Sequence, residues 1–300
     1  MSETNSSAGF VAVIGAPNAG KSTLVNALVG QKVAIVSAKA QTTRSRLMGI
    51  ATHERTQILL VDTPGIFQPR RRLDRAMVAA AWTGAQDADL ILLVIDSAAG
   101  LTPEVEKIVA GVAPHQHPLF IAFNKIDLVH KTKLLGLSAD LTARLNPEKV
   151  FMISASQGDG VPDLKQALAD AMREGPWLYP EDDISDATDR MIAAELTREQ
   201  IVNQLHEELP YATAVETETW EDRRDGSAVI RQQIIVERDS QKAIVIGKGG
   251  SRLKSIGAAA RAEIAHHLDR PVHLFLHVKV EPKWGEDRSI YREIGLEWAD

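Results

Sequence analysis

The sequence predicts a doubly wound, mostly parallel α/β domain followed by a smaller α+β domain. Short, continuous apolar segments alternate with helical stretches over residues 8–175, which is typical of strands buried on both faces of a parallel sheet. An acidic segment with two prolines then interrupts this pattern and predicts a linker over 176–186. Beyond it, helices and strictly alternating segments predict a second domain over 187–284, with a tail over 285–300.

The composition is that of an ordinary globular protein. The chain has 300 residues, 25% of them charged, and a net charge of −6, so nucleic-acid binding would have to rest on a local basic patch. Cysteine is absent, which excludes disulfides, cysteine-ligated zinc, iron–sulfur clusters and thiol catalysis. The absence of cysteine also fits a reducing cytosol. No apolar run approaches the roughly 20 residues of a membrane span, and the polar N-terminus is unlike a signal peptide.

The elements of the first domain follow one another in simple alternation. The apolar segments predicted as strands are 10–15, 58–61, 90–95, 119–123 and 150–153. The helices are expected over 22–29, 73–85, 103–112, 134–145 and 161–172. The third helix has the clearest start, because Thr102 is a favourable N-cap and Pro103 fits the first helical position.

The second domain has the predicted order αββααβ. Residues 187–208 carry apolar side chains at helical spacing, and residues 211–220 and 229–236 alternate as strands around the turn signal Asp225-Gly226. A short helix over 241–246, a longer one over 251–268 and a strand over 272–280 complete the domain.

A phosphate-binding loop follows the first predicted strand. The pattern G-x-x-x-x-G-K-S lets backbone N–H groups and a helix N-terminus surround phosphate oxygens. Lys21 would reach the β- and γ-phosphates, and the hydroxyl of Ser22 would bind Mg²⁺. The residues of the loop are Gly15, Ala16, Pro17, Asn18, Ala19, Gly20, Lys21 and Ser22.

A second motif follows the strand at 58–61. Asp62 stands at the carboxyl end of a buried strand, where it could hold Mg²⁺ through water, and Gly65 could offer its N–H to a γ-phosphate. On its own this sequence is equally compatible with an ordinary turn. The residues assigned to this motif are Asp62, Thr63, Pro64, Gly65 and Ile66.

Two further motifs predict a guanine site. The Asp127 carboxylate would accept from guanine N1–H and N2–H₂, donors that adenine lacks as a pair. Asn124 could tie the base edge to the phosphate loop, and the stem of Lys125 could cover the base plane. A backbone N–H of the later motif could reach guanine O6. The residues are Asn124, Lys125, Ile126 and Asp127, then Ser154, Ala155 and Ser156.

The four motifs in this order resemble the guanine-nucleotide domain of translation-factor-type GTPases. The resemblance implies a P-loop GTPase domain that binds GTP or GDP with Mg²⁺, and a first switch over Gln41-Thr42-Thr43-Arg44 in which Thr43 is the second hydroxyl on the metal. The residues it assigns to hydrolysis are Lys21, Thr43, Gly65 and Asn18.

The chain departs from the Ras pattern after the second motif. Ile66 follows Gly65, and a glutamine comes only at Gln68, so the attacking water must be oriented by another group. Asn18, with Thr42 and Thr43, resembles the subgroup that binds K⁺ beside the phosphates. Arg44 and Arg46 are alternative donors of positive charge, and a loop-stabilising hydrogen bond is the simpler interpretation of Asn18.

A glycine-rich loop of the second domain predicts RNA binding. Its G-x-x-G spacing lies between two helices, with basic residues nearby and an apolar groove expected from Ile244, Ile246, Leu253 and Ile256. The order αββααβ resembles a type II KH domain, although a solvated basic helix face would give a similar charge pattern. The residues assigned to RNA are Gly247, Lys248, Gly249, Gly250, Ile244, Ile246, Arg252 and Lys254.

A GTPase domain joined to a type II KH domain in about 300 residues resembles a family of bacterial ribosome-assembly GTPases. That resemblance implies binding of the 3′ end of small-subunit ribosomal RNA during 30S maturation in the cytoplasm, with peripheral association with the inner membrane. We expect the protein to be a monomer. Two alternatives remain at this point. One is a nucleotide-gated RNA clamp in which hydrolysis is incidental, and the other is an ATPase or small-molecule kinase with the same phosphate loop.

Overall fold

A computed structural model describes residues 6–37, 47–69, 72–113, 117–205, 209–288 and 298. These residues fall into two compact units. The first contains residues 6–34, 47–186 and 298, and the second contains residues 35–37 and 187–288.

The first unit alternates strands and helices along the chain. Its strands are β1 (Ser7–Ile14), β2 (Leu47–His53), β3 (Thr56–Asp62), β4 (Leu90–Asp96), β5 (Leu119–Asn124), β6 (Lys149–Met152) and β7 (Arg173–Glu174). Its helices are α1 (Lys21–Val29), α2 (Arg72–Asp87), α3 (Pro103–Val112), α4 (Lys131–Leu145) and α5 (Val161–Ala171).

These strands form one sheet in the order β2-β3-β1-β4-β5-β6, with β7 paired to β1. All pairs from β3 to β6 are parallel, which confirms the predicted doubly wound fold. The carboxyl ends of β1, β3, β4 and β5 therefore meet along the same edge of the sheet. Strand β2 pairs antiparallel with β3 and was absent from the sequence prediction.

The continuous apolar strands are buried because helices cover both faces of the sheet. Side chains that point to one face of the sheet, such as Val11 and Leu92, pack with α1 and α5. Side chains that point to the opposite face, such as Ile14 and Leu93, pack with α2, α3 and α4. This two-sided burial explains why the strands lack alternation.

The predicted linker is attached to the edge of this sheet. The buried side chain of Gln57 accepts hydrogen bonds from the N–H groups of Leu178 (2.9 Å) and Tyr179 (3.1 Å) and donates one to the carbonyl of Tyr179 (3.0 Å). Further on, Ile50 N–H donates to the carbonyl of Ile184 at 2.8 Å. The segment is therefore ordered by β2 and β3.

The second unit has the predicted order αββααβ. Its elements are α6 (Asp189–Gln204), β8 (Thr213–Asp222), β9 (Ala228–Val236), α7 (Asp239–Ile246), α8 (Ser251–His267) and β10 (Val272–Val280). The sheet order is β10-β9-β8, with β10 and β9 parallel and β9 and β8 antiparallel. The helices pack on one face of this sheet, where Ile230, Ile234 and Ile264 are buried.

Among the described residues, no helix is both long enough and apolar enough to cross a bilayer.

Candidate nucleotide and nucleic-acid sites

The phosphate loop connects the end of β1 to the start of α1. Gly20 caps the helix in a left-handed conformation with φ 93°, and Asn18 also has a positive φ of 62°. Lys21, the first helical residue, donates from Nζ to the carbonyls of Gly15 (3.2 Å) and Ala16 (3.1 Å). The loop therefore closes around the lysine ammonium, at the edge of the sheet where ligands of such folds bind.

The ammonium of Lys21 lies in a dry environment. The residue is only 6% exposed, and desolvation lowers its pKa to about 8, with the nearby Asp62 carboxylate acting in the opposite direction. A buried cation of this kind gains from an anionic partner, which would replace the water it has lost.

Two of the three residues predicted to hold a metal ion are in direct contact. Ser22 Oγ donates to Asp62 Oδ2 at 2.8 Å, and Asp62 is fully buried at the end of β3. The described residues contain no cluster of three or more metal-ligating His, Cys, Asp or Glu. This donor set fits Mg²⁺, a hard cation that takes one or two protein oxygens and completes its shell with phosphates and water. Thr43, the other predicted metal ligand, lies outside the described residues, as do Gln41, Thr42, Arg44 and Arg46.

The second motif packs against the phosphate loop. Ile66 N–H donates to the carbonyl of Gly15 at 3.1 Å, and Thr63 Oγ1 donates to the carbonyl of Val13 at 2.8 Å. A Cβ on Gly65 would lie 2.8 Å from the backbone N of Pro17, so this contact requires glycine. Pro64 is buried in the same turn.

The position after Gly65 cannot orient water. Ile66 is buried and packs with the apolar cluster that contains Ile14 and Ile91. Gln68 is exposed, and its Oε1 accepts from Lys107 Nζ at 3.4 Å. The residue after Gly65 therefore differs from the Ras pattern in its structural role as well as in its identity, because its side chain belongs to the apolar core.

Asn124 connects three of the four motifs. Its Nδ2 donates to the carbonyl of Ala19 at 2.9 Å, and its Oδ1 accepts from the N–H groups of Lys125 (2.8 Å) and Ala155 (3.0 Å). Asn124 is buried at the end of β5. Because the amide nitrogen and the amide oxygen are both engaged, the side chain fixes the phosphate loop and the two later motifs relative to one another.

The remaining residues of the third motif surround this amide. Lys125 Nζ donates to the carbonyl of Asn18 at 2.7 Å and to Asp96 Oδ2 at 2.6 Å. Ile126 N–H donates to the carbonyl of Ile153 at 3.2 Å. The Asp127 side chain is exposed, so its carboxylate is hydrated until a ligand covers it.

The fourth motif is an ordered turn after β6. Ser154 is buried, and its N–H donates to the carbonyl of Asp159 at 2.9 Å. The N–H of Ala155 is already donated to Asn124, so guanine O6 would have to share that amide or use the amide of the exposed Ser156.

The glycine-rich loop of the second unit lies between α7 and α8. A Cβ on Gly247 would lie 2.7 Å from Arg252 Cβ, so this glycine is required by the packing of the loop itself. Gly249 has φ 60° and Gly250 has φ 78°, and both face open space. The loop therefore offers a backbone surface that a nucleic-acid strand could approach closely. Lys248 is exposed beside it.

A groove of about 440 Å³ runs between α8 and β10. Among the residues that the structure describes, its lining contains two cations and no acidic residue. The lining residues are Gly250, Leu253, Lys254, Gly257, Ala258, Arg261, Leu274, Phe275 and Leu276.

The groove differs in part from the one expected from the sequence. Ile256 is fully buried in the core, because its position on α8 faces the sheet. Ile246 packs against the same core, and Ile244 is exposed outside the groove lining. Arg252 donates to the carbonyl of Ile244 at 3.2 Å and also lies outside the lining. Of the residues assigned to RNA from the sequence, Gly250 and Lys254 line the groove.

Two residues of interest were missed by the sequence analysis. Asp96 ends β4 and contacts Lys125, and it carries the same signal as Asp62, a carboxylate directly after a buried strand. Phe275 lies at an exposed position of an alternating strand. The signal that could have revealed it is an aromatic residue at a position of 272–280 where the alternation predicts a polar side chain.

Comparisons with known proteins agree with this architecture. The family described as "50S ribosome-binding GTPase" matches residues 10–125, and the family "KH domain" matches residues 208–285. The GTPase Era of Erythrobacter litoralis is 55% identical over the whole of both chains. The GTPase Era of Afipia carboxidovorans is 58% identical over 97% of this chain and 94% of its own length.

Two solved structures share the fold over nearly the whole chain. One is Era in complex with MgGDPNP and nucleotides 1506–1542 of 16S ribosomal RNA, with a TM-score of 0.91 and 38% identity over 97% of this chain and 99% of that one. The other is a point variant of Aquifex aeolicus Era bound to GDP and AlF₄⁻, with the same score and identity over 96% and 99%. Both units are thus covered by one family, and the chain belongs to the Era family of GTPases.

Proposed function

We propose that this GTPase couples hydrolysis of GTP in its first unit to binding of the 3′ end of 16S ribosomal RNA in its second unit, and that it acts in assembly of the 30S subunit. The observation that carries the proposal is the buried Asn124 amide, which joins the phosphate loop to the predicted guanine motifs. A related chain of the same architecture holds both MgGDPNP and 16S RNA, which supports the pairing of the two ligands.

Lys21 binds the polyphosphate. Its ammonium is held by the carbonyls of Gly15 and Ala16, and it lies at the N-terminus of α1, where backbone N–H groups favour anions. Phosphate oxygens would bind this ammonium, and backbone N–H groups of the loop would supply further donors, except at Pro17, which has no N–H, and at Ala19, whose N–H donates to the carbonyl of Ala16. A preorganised cation and amide set of this kind stabilises charge that develops during phosphoryl transfer.

Ser22 and Asp62 would hold Mg²⁺, with Asp62 acting through water and Thr43 supplying a second hydroxyl. When bound, the ion neutralises charge on the phosphate oxygens. Gly65 lies against Pro17 of the phosphate loop, so its N–H is close enough to the loop to sense a γ-phosphate. GDP has no γ-phosphate, so this N–H would lose its partner after hydrolysis. The segment after Gly65 could then adopt a different conformation in the GDP state.

Asp127 selects guanine. Its carboxylate is exposed on the surface, and a bound purine would remove it from water. Two N–H donors of guanine compensate for the lost hydration of the carboxylate, whereas adenine would leave the carboxylate without hydrogen bonds. This difference disfavours the alternative of an ATPase or a small-molecule kinase.

The in-line water is oriented without a glutamine, because Ile66 is buried in the core. We propose that Asn18 contributes instead, by holding K⁺ beside the phosphates with the help of Thr42 and Thr43. Asn18 is exposed on the phosphate loop, and its own carbonyl is bound by Lys125, which fixes the backbone that carries its side chain.

The second unit binds RNA through the loop Gly247–Gly250 and the adjoining groove. Gly249 and Gly250 leave room for a backbone, Lys248 and Lys254 provide charge, and Leu253 provides apolar surface for an unstacked base. Ile244, Ile246 and Arg252 support this surface from α7 and the start of α8. The charge is local, in a chain of net charge −6.

The two ribosomal subunits are alternative partners. The description of the GTPase family names the 50S subunit, but that match covers only residues 10–125. The relative with 16S RNA matches 97% of the chain, so the match extends over both units and favours the small subunit. We propose that the protein acts in the cytoplasm, because its proposed partner is ribosomal RNA, and that it is a monomer that associates peripherally with the inner membrane.

The test replaces Gly249 by Asp. The aspartate tolerates the left-handed conformation but adds bulk and negative charge where the RNA backbone approaches. Gly226 is a matched control, because it also has a positive φ (84°) and open space, in the hairpin between β8 and β9. We expect Gly249→Asp to weaken binding of a 16S 3′-end RNA about tenfold or more and to spare GTP binding, while Gly226→Asp changes neither.

Equal RNA affinity of Gly249→Asp and the unmodified protein would contradict the RNA role of the loop. A 23S ribosomal RNA fragment, measured in parallel, distinguishes the two subunits. Tighter binding of the 23S fragment would contradict the assignment to the small subunit.

A further inference from the structure

Phe275 lies on β10, the strand that borders the groove, and presents its aromatic ring to solvent on the face of the sheet that the helices do not cover. It lies in the middle of β10, an edge strand of the described three-stranded sheet, and the residue is 50% exposed. Its neighbours Leu274 and Leu276 occupy the other phase of the strand and point toward the helices. A half-exposed phenylalanine buries less apolar surface than a core residue, so part of its ring remains accessible to a ligand.

Arg231 covers part of the same ring. The two residues are direct cross-strand partners in the β9–β10 register, and Arg231 Cζ lies 4.8 Å from the centroid of the Phe275 ring. This is a cation–π arrangement, in which the flat guanidinium and the ring are held against one another. The side chain of Arg231 is itself exposed, so its charge is also available to a phosphate.

The strand that carries the ring borders a surface that suits a nucleic-acid strand. Phe275 lines the groove together with Lys254 and Arg261, and no acidic residue of the described part of the chain contributes to this lining. The groove begins at Gly250, next to the open backbone of Gly249. A strand that enters at this loop and follows the groove therefore reaches β10 and can cross its edge.

We propose that the Phe275 ring is a stacking subsite for one unpaired RNA base that leaves the groove over the edge of β10, with Arg231 supporting the ring. This inference rests on the proposed RNA function and adds a contact that its motifs do not include. Stacking on an aromatic ring accepts any base, because every base has a π-face. The subsite therefore adds affinity and fixes the path of the strand, while the identity of the bases is read elsewhere.

A purely structural role predicts something else. Cross-strand pairs of an aromatic residue with a long side chain stabilise a sheet. In that case replacement of Phe275 would lower the melting temperature and would change RNA affinity only as far as folding is impaired. The two roles are separable, because Phe275→Leu keeps the apolar volume but removes the π-face, and Phe275→Tyr keeps the ring.

The experiment uses the full chain and RNA of the sequence 1506–1542 of 16S ribosomal RNA, the segment bound by the related Era. A set of copies of this RNA carries the fluorescent base 2-aminopurine, each copy at a different unpaired position. The fluorescence of 2-aminopurine falls when the base stacks. We expect Phe275→Leu to weaken binding about tenfold, to leave the slope of affinity against salt unchanged because no phosphate contact is lost, and to abolish quenching at one position. Phe275→Tyr should restore both affinity and quenching.

Met191→Ala is the control for loss of an exposed apolar side chain in the same unit, since Met191 is 40% exposed on α6. It should match the unmodified protein. If Phe275→Leu binds and quenches like the unmodified protein while Gly249→Asp fails to bind, the stacking subsite is refuted and the RNA function stands. If the unmodified protein does not bind this RNA, both proposals fail.

Discussion

Lys125 Nζ lies 2.6 Å from Asp96 Oδ2, in an ion pair that connects the guanine motif to the end of β4. Asp96 is itself fixed, because its Oδ1 accepts from the N–H groups of Ala98 (2.9 Å) and Ala99 (3.1 Å). Lys125 in turn donates to the carbonyl of Asn18 in the phosphate loop. The carboxylate therefore positions a lysine whose stem is expected to cover the base.

Asp96→Asn tests this positioning role. The amide keeps the oxygen that caps Ala98 and Ala99 but loses the charge that holds Lys125. We expect affinity for GDP to fall about fivefold, since the pair is partly exposed and screened. Titration with a fluorescent GDP analogue measures it. Asp140→Asn, which breaks a surface ion pair with Arg144 on α4, is the control and should not change affinity. Equal affinities of both variants would rule out a role for Asp96.

Proton uptake on nucleotide binding reports on Lys21. Burial lowers its pKa to about 8, so at pH 8 about half of the free protein molecules carry a neutral amine. Phosphate favours the ammonium, so its pKa rises in the complex. Binding should therefore take up about half a proton at pH 8, and affinity should fall as the pH rises above 8, where the free protein has lost the proton.

Calorimetry of GDP binding in buffers of different ionisation enthalpy measures this uptake. Lys21→Arg is the control, because a guanidinium stays charged throughout this range and should show no uptake. A binding enthalpy that is independent of the buffer for the unmodified protein would show that Lys21 is already fully protonated at pH 8.

Much of this architecture was predictable because local signals and tertiary packing agree. Apolar runs mark the strands that helices cover on both faces, and each motif directly follows such a run. Strand β2 was missed because its sequence is short of β-branched residues and includes Gly49. A Cβ at Gly49 would lie 2.8 Å from Val25 Cγ1, so the residue is selected by packing against α1 and not by strand propensity.

Features that depend on partners distant in sequence were not visible. Residues 176–186 have the composition of a loose linker, and only the buried Gln57 shows that they are attached to the sheet. Ile256 has the same apolar character as Leu253, but the helix turns Ile256 into the core and Leu253 toward the groove. Sequence periodicity gives the faces of a helix but not which neighbour each face meets.

Gln57→Leu tests the attachment of the linker. The change removes three hydrogen bonds to Leu178 and Tyr179 while keeping the buried volume apolar. We expect a loss of about 2–3 kcal/mol in the free energy of unfolding of the first unit, and faster cleavage by protease within 176–186. Urea unfolding and limited proteolysis measure the two effects. Gln86→Leu, at an exposed position on α2, should leave both unchanged. Unaltered proteolysis of Gln57→Leu would mean that other contacts hold the segment.

The monovalent cation tests the proposed role of Asn18. Replacing K⁺ by Na⁺ at constant ionic strength should slow GTP hydrolysis several-fold, because Na⁺ is too small for a site that fits K⁺. Asn18→Gly removes the side chain and accepts the φ of 62° without strain, so it should hydrolyse GTP slowly in either salt while still binding GDP. Equal rates in K⁺ and Na⁺ for the unmodified protein would exclude the cation.

The most direct measurement is the nucleotide preference of Asp127→Asn. An asparagine amide cannot accept from both guanine N1–H and N2–H₂, but it can donate to the 2-oxo group of xanthine. If the carboxylate at position 127 reads the purine, this variant should bind and hydrolyse XTP in preference to GTP, with the remaining phosphate and metal contacts unchanged. A variant that keeps the GTP preference of the unmodified protein would contradict the assignment of the nucleotide site.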